Sequence, residues 1–261
     1  MKTIHNQKEN NVTQTYDNND SKTRLNKFIS ETGYCSRRMA DKLIDAGKVT
    51  VNGKIPEMGT QVSKSDYIEI NRQPLKTKEE FVYLAFNKPV GITCTTEHKI
   101  KGNIIDFINF PKRIFPIGRL DKPSQGLIFL TSDGDIVNKI LRSGNNHEKE
   151  YIVTVDKPVS SDFIKSMANG IPILNTITKN CFVKKEGKYI FRIILTEGLN
   201  RQIRRMCEHL GYAVVKLERL RIMNVSINNL ALGKWRYLTS KELLGINELI
   251  SNSIKTEDAS K

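Results

Sequence analysis

The sequence predicts a two-domain α+β protein, in which a small helix-and-hairpin module precedes a larger domain built on a mixed, largely antiparallel β-sheet. Apolar residues recur at helical spacing between residues 25 and 44, and an Asn-Gly turn follows them. Further along, FVYLAFNKP, QGLIFLT, KEYIVTV and YIFRIILTEG are typical of strands, and two stretches, GDIVNKILRSG and NRQIRRMCEHLG, are typical of helices.

Composition divides the chain into five segments. We expect disordered polar tails at residues 1–22 and 251–261, because neither has enough apolar surface to fold. The small module covers residues 23–72, a polar linker residues 73–80, and the larger domain residues 81–250.

The charge of the 261-residue chain, +14 at pH 7, makes a polyanion such as nucleic acid the first partner to consider. A basic protein of the ribosome or of a membrane surface is the alternative. No apolar run reaches the length of a membrane span, and no signal-peptide core begins the chain. The four cysteines and four histidines are scattered, and no glycine-rich phosphate loop is present. We therefore expect a cytoplasmic protein without metal, cofactor or disulfide.

The small module has two apolar stripes, one of Leu25, Phe28 and Ile29 and one of Met39, Ala40, Leu43 and Ile44. Ser36 is the expected N-cap of the second helix, which ends at Gly47. Five basic residues up to the end of the second helix fall outside these stripes, namely Arg24, Lys27, Arg37, Arg38 and Lys42, and Lys48 follows them just after Gly47. The pattern fits a solvated face or a phosphate-binding surface equally well.

The order of these elements, with Cys35-Ser36-Arg37-Arg38 opening the second helix, resembles the S4 type of RNA-binding domain over Arg24 to Ile70. The resemblance implies that the five basic residues contact RNA phosphates, which gives affinity with little sequence preference.

In the larger domain, Asp121 stands in FPIGRLDKPSQGLIFLT, directly before an apolar strand. A turn with a routine Arg119–Asp121 pairing and a carboxylate held for chemistry are both compatible with this position.

Tyr151 alternates with Val153 and Val155 and therefore shares their face of the strand. It is either a core tyrosine or a ring that stacks on a nucleobase.

The helix of EGLNRQIRRMCEHLGYAV should begin at Asn200 as N-cap, stop at Gly211 and bury Ile203, Met206, Cys207 and Leu210. At about 100° per residue, Arg201 and Arg205 then lie opposite the buried stripe and Arg204 on its flank. Arg204 is thus the candidate partner of a buried carboxylate, and Arg201 and Arg205 are candidates for phosphate contact.

Together, Gly-Arg-Leu-Asp, Lys-Glu-Tyr and Arg-Gln-Ile-Arg-Arg-Met, in this order behind an S4-like module, resemble the pseudouridine synthases. The resemblance is to the branch with an A-type enzyme for small-subunit ribosomal RNA and B-, E- and F-type enzymes for large-subunit ribosomal RNA, and it spans about Arg24 to Leu249. It implies that Asp121 is the catalytic aspartate, that Tyr151 contacts the target base and that Arg204 pairs with Asp121. Pro123 departs from the family pattern and should stiffen the loop after Asp121.

The implied reaction converts uridine to its C-glycoside without a cofactor, in a structured RNA such as a large-subunit ribosomal stem-loop or, as a further substrate, a tRNA stem-loop. Arg204 would keep Asp121 ionised, because a nearby cation favours the charged form of a carboxylate. Attack of Asp121 on C1′ and a route through a glycal both remain open, as do RNA contact and loop bracing for Arg119. A ribosome-assembly factor without catalysis and an enzyme for small-subunit RNA are the alternatives, and a monomer is the expected state.

Overall fold

The computed structural model describes residues 22–76, 80–141 and 146–251. Apart from Lys22 and Ser251, the two tails predicted to be disordered lie outside these residues. The chain divides into two compact units, with the boundary between Thr77 and Lys78.

The N-terminal unit contains two helices and two small antiparallel sheets. Its elements are β1 (Thr23–Arg24), α1 (Leu25–Glu31), α2 (Arg37–Asp45), β2 (Val49–Val51), β3 (Gln61–Val62), β4 (Ile68–Ile70) and β5 (Gln73–Pro74). β1 pairs with β3, and the second sheet has the order β2-β4-β5. One apolar cluster joins the helices to both sheets; it consists of Leu25, Ile29, Ala40, Ile44, Val49, Val62, Ile68 and Ile70.

Most of the local predictions for this unit are confirmed. Ser36 caps α2 by accepting a hydrogen bond from the backbone of Met39. The prediction that Met39 is buried is wrong, because Met39 is 48% exposed. α2 points Ala40 and Ile44 into the core, and the small unit covers only that side of the helix. The Asn-Gly turn forms, but the strand predicted after it is reduced to a single bridge between Val51 and Lys54. The strand before the turn, β2, pairs with β4 instead.

The predicted linker begins with ordered structure. Gln73 and Pro74 form β5 against β4, and Leu75 packs on the core of the N-terminal unit. Residues 77–79 lie outside the described chain.

The C-terminal unit is built on one large sheet with helices against it. Its strands are β6 (Tyr83–Lys88), β7 (Phe115–Ile117), β8 (Gln125–Thr131), β9 (Lys149–Val155), β10 (Pro172–Ile173), β11 (Thr176–Ile177), β12 (Phe182–Gly187), β13 (Ile190–Leu195), β14 (Val214–Ile222), β15 (Val225–Ser226) and β16 (Trp235–Tyr237). Its helices are α3 (Ile104–Ile108), α4 (Gly134–Leu141), α5 (Ser161–Ala168), α6 (Gln202–His209) and α7 (Ser240–Ile250). The sequence predicts α4, α6, β6, β8, β9 and β13, but does not single out the others.

The sheet has the order β12-β13-β9-β14-β8-β6-β16, with β15 beside β14 and β7 beside β8. β14 and β8 are parallel, and every other strand pair described in this sheet is antiparallel. The predicted α+β class with a largely antiparallel sheet is therefore confirmed. The parallel junction is where the strand that follows Asp121 meets the strand beside Tyr151.

Apolar clusters cover both faces of the centre of the sheet. Ile128 and Leu130 of β8 face one cluster, with α3, α5 and α6, while Leu127 and Phe129 face the other, with α4 and α7. A strand buried on both faces needs a continuous apolar run, which explains the uninterrupted sequence from Leu127 to Leu130. Among the described helices, none is long and apolar enough to cross a membrane.

Candidate active site

Five of the predicted site residues line one cavity of about 420 Å³ in the C-terminal unit: Arg119, Asp121, Tyr151, Arg201 and Arg204. They come from three places in the fold. Arg119 and Asp121 belong to the loop between β7 and β8, Tyr151 to β9, and Arg201 and Arg204 to the start of α6.

Asp121 and Arg204 form an ion pair, with 3.8 Å between Oδ2 of Asp121 and Nε of Arg204. The side chain of Asp121 is 33% exposed and that of Arg204 is 10% exposed. Arg204 also donates to the backbone oxygens of Pro123 (3.2 Å) and Val214 (3.3 Å) and to Oγ of Ser124 (3.0 Å). Burial lowers the pKa of Arg204, and the charge of Asp121 opposes that shift. The guanidinium therefore fixes the turn after Asp121 as well as its carboxylate, and Pro123 contributes a carbonyl to this arrangement.

The inward position of Arg204 agrees with the helical spacing of the sequence. The predicted N-cap, Asn200, is wrong. The residue that precedes α6 is Arg201, in a left-handed conformation with φ of 51° and without a side-chain cap. Asn200 instead accepts hydrogen bonds from Arg205 through its backbone oxygen and Oδ1, at 3.0 and 3.3 Å. The start of α6 at Gln202 leaves Arg201 exposed at the cavity and ties Arg205 back to the loop.

Tyr151 shares its face of β9 with Val153 and Val155, as strand alternation predicts, and all three are buried. Tyr151 is 8% exposed and lines the cavity. The guanidinium carbon of Arg219 is 5.9 Å from the centre of the Tyr151 ring. A side chain from β14 thus joins the site beside Tyr151.

Sequence reasoning missed two buried cations of the cavity, Lys149 and Arg219. Nε of Arg219 donates to the backbone oxygen of Leu127 at 2.6 Å, and Nζ of Lys149 to that of His147 at 3.2 Å. Burial, with repulsion from Arg219, lowers the pKa of Lys149 to about 8. A signal for Lys149 was available, because strand alternation puts it on the same face as Tyr151.

The segment after β6 holds the Asp121 loop in place. The backbone nitrogen of Gly91 donates to the backbone oxygen of Lys122 at 2.8 Å. The buried thiol of Cys94 donates to the backbone oxygen of Leu120 at 3.2 Å and accepts from its nitrogen at 3.4 Å. The residues on both sides of Asp121 are therefore anchored to one stretch of backbone.

Lys88, at the end of β6, is fully buried, and its Nζ donates to the backbone oxygens of Pro89 and Ile92, each at 2.9 Å. Burial lowers its pKa to about 8, while the charge of Asp121 is among the influences that oppose this shift. Lys88 thus places a further buried positive charge near the carboxylate.

The remaining predicted site residues belong to the N-terminal unit. Arg24, Arg37, Arg38 and Lys42 are exposed, whereas Lys27 is half-buried and forms an ion pair with Glu31 at 3.5 Å. No group of three or more potential metal ligands occurs among the residues with a described position.

Comparison with known proteins gives two family matches. Residues 82–209 match the family described as RNA pseudouridylate synthase, and residues 23–67 match the S4 domain. The "Dual-specificity RNA pseudouridine synthase RluF" of Escherichia coli strain K12 is 59% identical over 236 residues, which cover 90% of this chain and 81% of that protein. The "Ribosomal large subunit pseudouridine synthase B" of Bacillus subtilis strain 168 is 36% identical over 235 residues, which cover 87% and 96%.

One solved structure, described as a pseudouridylate synthase, is 32% identical in sequence and superimposes with a TM-score of 0.64. The match covers 85% of this chain and 99% of that one.

Proposed function

This chain belongs to the RNA pseudouridine synthase family and carries an S4 domain, and on that premise we propose that it isomerises specific uridines of large-subunit ribosomal RNA, with a tRNA stem-loop as a second substrate. The names of two relatives support this choice, since one is called dual-specificity and the other is assigned to the large ribosomal subunit. With such a substrate, we propose that the activity is cytoplasmic.

The observation that carries the proposal is the carboxylate of Asp121, held 3.8 Å from Arg204 in a cavity that Tyr151 also lines. A partly desolvated carboxylate stays ionised when a cation lies beside it. Asp121 can then act as a nucleophile or take up a proton. All the groups of the site come from a single chain, which supports activity as a monomer.

The reaction begins with rupture of the N1–C1′ bond, whose two electrons go to the uracil ring. In one route an oxygen of Asp121 bonds to C1′; in the other Asp121 takes the proton from C2′ and a C1′=C2′ double bond forms. After the base rotates, C5 bonds to C1′ as the link to Asp121 breaks or the proton returns to C2′. C5 then loses its proton and N1 gains one, so the product is an isomer of uridine. In our proposal Tyr151, which lines the cavity, holds the detached base by stacking.

The target uridine has to leave its helix before Asp121 can reach it, which costs a few kcal/mol of unstacking. Phosphate contacts by basic residues can supply that energy. In our proposal the exposed residues Arg119 and Arg201 make such contacts at the cavity, Arg205 makes one beside it, and the five basic residues of the S4 domain bind further along the RNA.

The proposal is tested by mapping pseudouridine in ribosomal RNA and tRNA from cells with and without the gene. We expect a site in large-subunit RNA to lose its modification on deletion and to regain it with the wild-type chain but not with Asp121→Asn, which keeps the shape and removes the charge. Asp162→Asn is the matched control, because Asp162 is exposed in the first turn of α5. Its complementation should be complete.

Three results would contradict parts of the proposal. Modification restored by Asp121→Asn would reject the catalytic assignment. A lost site in small-subunit RNA would change the substrate. Unchanged modification at every site, with RNA binding retained, would favour an assembly factor.

A further inference from the structure

We infer that Arg219 and Lys149 stabilise the negative charge that the uracil ring acquires when its bond to the ribose breaks. This inference rests on the proposed function and extends it to two residues to which the family resemblance assigned no role. It starts from the unusual electrostatics of the cavity wall.

Both cations are buried without an acidic partner. Arg219 is 4% exposed and Lys149 8%, and within the described parts of the chain neither has a carboxylate oxygen within 4.0 Å. Nη2 of Arg219 is buried and has no hydrogen-bond acceptor among those same residues. A buried charge with neither counter-ion nor full hydrogen bonding is costly. The free protein therefore carries positive charge that it does not neutralise itself.

The position of Arg219 in the sheet places this charge at the reacting groups. Its backbone lies opposite Tyr151 on one side and Gly126 on the other. Its guanidinium is 5.9 Å from the centre of the Tyr151 ring, and it lines the same cavity as Asp121. A base that stacks at Tyr151 would thus lie within the field of Arg219.

Lys149 reinforces this field. It precedes Tyr151 by two residues on the same face of β9 and lines the same cavity. The mutual repulsion of Lys149 and Arg219 helps to lower the pKa of the lysine. An anion that entered the cavity would relieve this repulsion.

Burial indicates which part of the RNA supplies the anion. Arg119 and Arg201 line the cavity but are exposed, so phosphates, which are bulky and strongly hydrated, can reach them. Lys149 and Arg219 are more than nine-tenths buried, and a flat base turned out of its helix is the part of the substrate that fits beside them.

Cleavage of the N1–C1′ bond produces the negative charge on the base. Whichever route Asp121 follows, the two electrons of the N1–C1′ bond stay with uracil, which becomes an anion delocalised over N1, O2 and O4. Cations fixed in advance in a water-poor site stabilise such a developing charge without reorganisation. Forming C5–C1′ and protonating N1 then removes the charge, so the product binds less tightly than the intermediate.

The test compares Arg219→Met and Lys149→Met with Arg221→Met in single-turnover reactions on an RNA stem-loop. Arg221 lies on the same strand but is paired with Glu148 and Glu150, outside the cavity. We expect each of the first two substitutions to slow the reaction by about 10²–10³-fold at saturating RNA, with RNA affinity nearly unchanged. Arg221→Met should react at the wild-type rate, and Arg219→Lys should recover part of the loss.

A second substrate distinguishes a direct effect from misplacement of Tyr151. In RNA with 5-fluorouridine at the target, the electron-withdrawing fluorine makes the base a better leaving group, so disappearance of the nucleoside should depend less on the two cations. The wild-type-to-variant ratio should shrink by about tenfold with this substrate.

Wild-type rates for both cavity variants, or equal slowing on both substrates, would overturn the inference while the proposed function stands. An inactive wild-type chain would instead refute the proposed function. Thermal unfolding of each variant identifies a folding defect, and the two independent positions keep the test decisive if one of them fails to fold.

Discussion

Two groups of charges in the C-terminal unit, on opposite faces of the same strands, differ in how completely they are paired. Near one end of β9, Glu150 bonds to both Arg192 and Arg221, and Arg221 also reaches Glu148 at 2.9 Å. Arg192 in turn bonds to Glu186 at 2.7 Å. Each of these five side chains has an opposite charge as its neighbour.

The cavity shows the contrary arrangement. Lys149 and Arg219 line the cavity and are buried without an ion-pair partner among the described residues, and Arg204 has Asp121 as its carboxylate partner. Charges that are fully paired stabilise the fold. Buried cations that lack a partner can instead bind an anion. In our proposal, the RNA substrate supplies the negative charge that the cavity lacks.

Arg204, the cavity cation that does have a partner, should be as sensitive to substitution as the two unpaired cations. We expect Arg204→Met to reduce the single-turnover rate by about 10²–10³-fold, because it removes the charge beside Asp121 and the donors to Pro123 and Ser124. Arg204→Lys keeps the charge and should recover part of the rate. Rapid-quench kinetics with nucleoside analysis measure both, and an unaffected Arg204→Met would show that Asp121 needs no cation.

In the paired group, Glu150→Gln should act on stability and leave catalysis alone. The side chain of Glu150 is 16% exposed and accepts from two arginines, and charge-assisted hydrogen bonds contribute about 1.5–3 kcal/mol. We expect the free energy of unfolding in urea to fall by about that amount, with the rate at saturating RNA unchanged. A slowed reaction without lost stability would mean that the two groups of charges are coupled.

The dependence of the single-turnover rate on pH should be a smaller effect than those of the two substitutions. Lys149 in the cavity and Lys88 near Asp121 each have a pKa lowered from 10.5 to about 8 by burial, so the positive charge in and near the cavity decreases as the pH rises through 8. The single-turnover rate should then fall by up to about tenfold per pH unit. His147, beside Lys149, has a lowered pKa and is already neutral in this range.

Stability should change in the opposite direction. Between pH 8 and 10.5 the unfolded chain binds more protons than the folded one, so these lysines favour folding increasingly as the pH rises. A fall in the single-turnover rate above pH 8 would therefore not be caused by unfolding. Lys149→Arg stays charged throughout and should abolish the decline if Lys149 causes it; a decline that persists would assign it to Lys88.

Sequence patterns anticipated the parts of the molecule that depend on local periodicity. Alternation in β9 placed Tyr151, and helical spacing in α6 turned Arg204 toward Asp121 even though the helix begins one residue later than expected. The apolar run of β8 indicated a buried strand. The functional roles of Asp121, Tyr151 and Arg204 remain a proposal.

Other features depend on contacts between distant segments, which no local pattern contains. Arg219 is buried because β14 lies between β8 and β9, and a sequence that reads KLERLRI offers no reason to bury one arginine and pair the next. The same holds for Cys94, whose thiol binds the backbone of Leu120, 26 residues away. The prediction that Met39 is buried was wrong for a related reason. The size of the core depends on the whole N-terminal unit, not on the helix alone.

The parallel junction between β8 and β14 sets a limit on mutational tolerance. Gly126 has a φ of +115°, and a Cβ there would overlap the backbone nitrogen and carbonyl oxygen of Arg219. Asp121 is carried by the strands on one side of this junction and Tyr151 by those on the other. Any side chain at position 126 would force the two sides apart, so a single methyl group, placed on neither catalytic candidate, would move Asp121 away from Tyr151.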